Sequence, residues 1–185
     1  MRDSIHECLE IAKMCIEKQK DDKGSCYGMP ALILLCDVID SIGSYFVNGS
    51  YEVLKDNFKG IGSKTHYSEF YDAFTDILSK EISKSDFCEG SNSIVIAYRN
   101  RSIHNSGLNP NCFIVTKGEK LYEQKNNGKE NSLNIKRLYD IVASCNNKLE
   151  KEHPIPEITV DDEELLKLLE GPIDCTAKTG NTVPQ

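Results

Sequence analysis

Ala31-Leu32-Ile33-Leu34-Leu35-Cys36-Asp37-Val38-Ile39-Asp40-Ser41-Ile42-Gly43-Ser44-Tyr45-Phe46 is the stretch whose reading decides the fold. It is apolar on most sides, as expected of a central, largely buried helix. Pro30 stands just before it, where the first turn of a helix tolerates proline. The exceptions, Asp37, Asp40, Ser41 and Ser44, fall at i, i+3, i+4 and i+7 and draw a narrow polar stripe along one face. Carboxylates on such a helix are costly unless paired, so the stripe should meet cations, water or a partner chain.

Working outward, the chain reads as further helices built around this one. Ser4 followed by Glu7 is a capping-box signature. After it Ile5, Cys8, Leu9, Ala12, Cys15 and Ile16 recur at helical spacing and predict a first helix of about 16 residues. Beyond the central helix, Tyr51–Phe58 suggests a short helix. Phe70, Phe74, Ile77 and Leu78 carry another, with Tyr67 and Tyr71 near its start. Ile94, Val95, Tyr98 and Ile103 predict a helix ended by Asn105-Ser106-Gly107 and Pro110. Ile135, Leu138, Val142, Cys145 and Leu149 form the stripe of a final long helix that follows Ser132. Between these last two helices, residues 112–124 read as a β-hairpin, with a Lys117-Gly118 turn between two β-prone runs. The expected fold is therefore mainly α, a helical bundle over residues 1–152 with a small β-hairpin before the last long helix. Residues 153–185, opening on Pro154-Ile155-Pro156, are expected to form an acidic, partly disordered tail.

Composition narrows the class. The 185 residues are 39% hydrophobic and 28% charged, ordinary for a soluble globular protein. The longest apolar run, Met29–Cys36, falls short of a bilayer span, and the N-terminus lacks the apolar core of a secretion signal. The expectation is a cytoplasmic protein with no membrane partner. The 8 cysteines are scattered without a CxxC pair, so buried thiols are expected rather than a disulfide scaffold or a zinc site. Gly60-Ile61-Gly62-Ser63-Lys64-Thr65 fails as a phosphate-binding P-loop, because glycine does not directly precede the Lys-Thr pair. The net charge of −7 resides mostly in the tail, while residues 99–148 hold nine bases against four acids. A locally basic surface of that kind attracts phosphates.

The chemistry concentrates in Tyr98-Arg99-Asn100-Arg101-Ser102-Ile103-His104-Asn105. Histidine exchanges protons near neutral pH, and arginine presents a permanently charged, planar fork to phosphate oxygens. Together they supply what metal-free RNA cleavage requires: proton transfer at the 2′-hydroxyl and the leaving oxygen, and stabilisation of a charged phosphorane. On a regular α-helix, however, five residues turn about 500°, leaving Arg99 and His104 about 140° apart. One phosphate is reached by both only if the helix unwinds or a partner subunit contributes.

This segment resembles the signature of the HEPN superfamily, an Arg followed by a polar residue and, four to six positions on, a His. The resemblance covers residues 4–149. It implies a helical bundle that commonly pairs into homodimers, with two such motifs lining a shared cleft. Many members are ribonucleases without metal or other cofactor, in defence or toxin–antitoxin systems; others only bind. On that basis the expected catalytic residues are Arg99, His104 and Asn100. Arg101, Asn105 and Asp40 are expected to bind, Asp40 or Asp37 by pairing with Arg99 or Arg101. RNA, an antitoxin or another partner protein are the expected partners. The alternatives are a non-catalytic dimeric module binding RNA, nucleotide or protein, and a structural helical adaptor. His6, His66 and His153 read as surface residues.

Overall fold

The computed structural model describes residues 2–18, 26–48, 66–100, 108, 110–126 and 129–152. The expected helix over 51–58, the Gly-rich turn at 60–65, the segment 101–107 and the tail 153–185 lie outside them. About two thirds of the described residues are helical and three short strands make the rest of the regular structure, so the fold is mainly α with a small sheet.

Helix α1 (Arg2–Glu17) and helix α2 (Gly28–Asn48) form the first pair. α1 starts two residues before Ser4, which therefore sits inside its first turn rather than capping it; helix ends vary by this much. α2 packs against α1, against α3 (Tyr67–Ala73) and against the last helix, α5 (Ile135–Glu152), as a central helix should. Its Leu32, Leu35, Ile39 and Ile42 are fully buried. Burying side chains of this size contributes roughly 1.5–3 kcal/mol each. The α2–α3 contact is backbone to backbone: a Cβ on Gly43 would lie 2.0 Å from the His66 carbonyl oxygen, so only glycine fits there.

α2 also carries a 19-residue stretch, Gly28–Phe46, with a mean hydropathy of 1.5. By length and composition it could cross a bilayer, a possibility that counting only the uninterrupted Met29–Cys36 run misses. The core helix of a bundle meets the same criterion.

After α3 the chain breaks at Phe74 into a single turn, α4 (Thr75–Leu78). Two π-helical turns follow, Ser85–Glu89 and Val95–Arg99. Phe87, from the first, is buried among Tyr67, Phe70 and Tyr71, with its ring stacked on Phe70 at 6.2 Å between centroids.

The sheet corrects the expected hairpin. β1 (Cys112–Val115) and β2 (Tyr122–Lys125) do not pair with each other. A third strand, β3 (Glu130–Asn134), lies between them, parallel to β1 (Ile114 opposite Leu133) and antiparallel to β2 (Tyr122 opposite Leu133). Lys117-Gly118 belongs instead to a crossing segment. Leu121 plugs the core from it, and Asn134 holds it by donating Nδ2 to the Gly118 oxygen (3.0 Å) and N–H to the Leu121 oxygen (2.8 Å). The true hairpin joins β2 to β3, with Asn126 in the left-handed region (φ 52°), which Asn tolerates better than most residues. β3 reads Glu-Asn-Ser-Leu-Asn, poor in β-branched residues, and Ser132 imitates a helix cap. The cap is Asn134, whose Oδ1 accepts the Arg137 N–H at 3.2 Å as α5 begins.

Candidate functional site

Ser93 starts the motif-bearing helix. It is buried, its carbonyl accepts the Ala97 N–H at 2.8 Å and its hydroxyl accepts the Ile96 N–H at 3.4 Å. Tyr98 anchors the far end. Its ring is fully buried, and its hydroxyl donates to the Phe113 carbonyl at 3.1 Å, tying the helix to β1. Burial is the main force holding that hydroxyl protonated. With Tyr98 turned into the core, Arg99 and Asn100 stand half-buried at its margin.

The turn that delivers them is not α-helical. The Asn100 N–H bonds the Val95 oxygen, five residues back. The α-helical angle expected between Arg99 and His104 therefore starts from a geometry that this helix does not keep over Val95–Arg99. Short π segments of this kind occur frequently at functional sites.

Arg99 Nη1 donates to Asn100 Oδ1 at 2.9 Å. Its charge is also felt on α2, at Cys36 and Asp37, and at Tyr67 on α3. Asp40 acts electrostatically on the same three groups. The guanidinium and the polar stripe of α2 thus share one electrostatic neighbourhood. Asp37 shows the balance of forces. Partial desolvation raises its pKa first, the Asp40 carboxylate adds to that, and Arg99 works against both. Cys36 is pushed up to about 12, chiefly by burial, so it stays a thiol rather than a nucleophile.

Of the expected site residues, Arg99, Asn100 and Asp40 are described; Arg101, His104 and Asn105 lie outside the described residues. Asn100 accepts from Arg99, which orients the guanidinium. Asp40 has a backbone partner that the sequence did not suggest: its Oδ1 accepts the His66 N–H at 2.6 Å, just ahead of α3. His66 is half-buried rather than a surface residue, and its Nδ1 is buried without a hydrogen-bond partner. Only the long-range approach of α3 to α2 reveals it.

Away from the motif, a groove of about 360 Å³ is lined by Ile77, Lys80, Glu81, Arg137, Asp140 and Ser144, among others. Its two bases are matched by two acids, and Arg137 Nη2 is already bound to Glu81 at 2.6 Å. It has no excess of positive charge to attract phosphate. Among the described residues no group of His, Cys, Asp or Glu gathers to hold a metal ion.

No family model, curated protein or solved structure matches the chain. The HEPN resemblance stands on its residues alone.

Proposed function

We propose that the chain is a HEPN-like, metal-independent endoribonuclease domain of the toxin or defence-effector kind, acting as a cytoplasmic homodimer. Arg99 binds the scissile phosphate and neutralises the phosphorane, Asn100 orients Arg99, and His104 transfers protons. Arg101 and Asn105 extend the contact with RNA, and Asp40 supports the site from α2. The 2′-hydroxyl attacks its own phosphate, so the product ends in a 2′,3′-cyclic phosphate. The observation that carries this reading is the π turn that brings Arg99 and Asn100 together at the acidic stripe of α2, four residues ahead of the motif's histidine in sequence.

The substrate itself supplies the test. In the presence of EDTA the purified full-length protein should cut single-stranded RNA, leave cyclic-phosphate ends, and spare DNA of the same sequence. Cutting DNA equally well would overturn the mechanism.

One observation favours a second reading, a non-catalytic dimeric module that binds RNA, nucleotide or a partner protein. Arg99 is already engaged within the chain by Asn100 and stabilises the Asp37 carboxylate nearby. Salt-sensitive RNA binding without cleavage would decide for that module.

A further inference from the structure

Seven cysteines are described, all free, and they differ in access and surroundings. Cys36, Cys112 and Cys145 are buried. Cys88 donates its thiol to the Lys84 carbonyl at 3.6 Å, and burial, followed by the charges of Asp37 and Glu7, disfavours the Cys8 thiolate. Cys15 and Cys26 remain, both partly exposed, one near the end of α1 and the other just before α2.

Two contacts hold these two positions together. The Tyr27 N–H donates to the Cys15 carbonyl at 3.0 Å. The Lys18 ammonium sits 5.7 Å from the centre of the Tyr27 ring, pinning the residue after Cys26 to the last turn of α1. A backbone bond from Cys15 to the neighbour of Cys26 is compatible with the Cα spacing of about 4.4–6.8 Å that a disulfide requires. The Cys26 thiol also senses Cys15: after burial and a backbone hydrogen bond, Cys15 is among the causes acting on its pKa.

We infer that Cys15 and Cys26 form a redox-modification site, a dithiol that closes reversibly into a disulfide in exchange with a low-molecular-weight disulfide such as oxidised glutathione. The thiolate of one cysteine attacks a glutathione sulfur and the first glutathione leaves. The second cysteine then attacks the mixed disulfide, joining the two protein sulfurs and releasing the second glutathione. Two electrons pass to glutathione, and the two thiol protons end on the two released glutathione thiols. The bond ties the end of α1 to the start of α2, so the modification acts on the first helical pair of the bundle. It does not depend on the proposed nuclease activity.

Peptide mapping of the native full-length protein tests this directly. The protein is incubated with oxidised glutathione, free thiols are blocked with N-ethylmaleimide, and trypsin cuts at the intervening Lys18, Lys20 and Lys23. The expected result is a Cys15 peptide linked to the Cys26 peptide, an intact mass before alkylation lower by the two lost hydrogens, and reversal by dithiothreitol. C15S and C26S should each abolish the link, while C8S keeps it. The inference is overturned if both thiols of the wild-type protein stay alkylatable, if they stop at glutathione adducts, if either pairs mainly with another cysteine, or if C8S removes the link.

Discussion

The two π turns make an instructive pair. Each is five residues long, each closes with an N–H bonded to a carbonyl five residues back, and each buries one aromatic ring, Phe87 in the first and Tyr98 in the second. In the first, the polar groups tie the turn to other elements. Asp86 accepts from Ser83 and Gln124, Lys84 binds both oxygens of Asp72 at 2.7 Å, and Gly90 ends the turn. In the second, the turn ends on a guanidinium and an amide beside the acidic stripe of α2. The same backbone device thus packs an aromatic ring in both places, and in the second it also presents a guanidinium with its amide partner. What distinguishes them is the residue type at the exit, not the turn.

That contrast can be broken by substitution. Phe87→Ala should give the largest effect, a loss of about 3–5 kcal/mol in stability by urea denaturation, because a fully buried ring leaves a cavity among Tyr67, Phe70 and Tyr71. Arg99→Ala should do the reverse. RNA cleavage should fall by about 10²–10³-fold, as for the loss of one charge-stabilising donor, while stability changes by no more than about 1 kcal/mol. Arg99→Lys should not restore cleavage, since an ammonium lacks the planar fork. Equal losses of folding and activity at Arg99 would reduce the second turn to the status of the first.

Tyr98→Phe sharpens the comparison. It keeps the buried ring and removes only the bond to the Phe113 carbonyl, leaving that acceptor without its partner. A loss of about 1–3 kcal/mol is expected, together with reduced cleavage if the tie to β1 positions Arg99.

The smallest effect belongs to Asp37. Its pKa in the folded chain lies above its ordinary value of 3.8, so the folded state binds the proton more readily than the unfolded chain. Stability from this group is therefore greatest below the ordinary value and declines as pH rises through the raised one. Asp37→Asn should remove that decline, visible as a flatter melting temperature from pH 3.5 to 6, and leave the protein at least as stable at pH 7. A variant less stable than the wild type at pH 7 would mean that pairing with Arg99 outweighs the desolvation of Asp37.

How much of this was legible in the sequence depends on the range of the interaction. α1, α2 and α5 follow from apolar residues at helical spacing, a signal contained within each segment. The sheet was not legible, because β1 pairs with a strand nearly twenty residues away whose own residues, Glu130–Asn134, carry no β signature. Neither π turn has a pattern distinct from an α-helix, so the altered approach to Arg99 was invisible too. The polar stripe of α2 was readable, but the bond from His66 to Asp40 depends on α3 returning against Gly43.

Wild-type protein and His104→Ala, compared on one labelled RNA, in EDTA and at matched folded concentrations, separate a proton-transferring histidine from a structural one. The proposed role of His104 requires that cleavage disappear in the variant while its melting temperature and helical content stay unchanged. Undiminished cleavage by His104→Ala would contradict it.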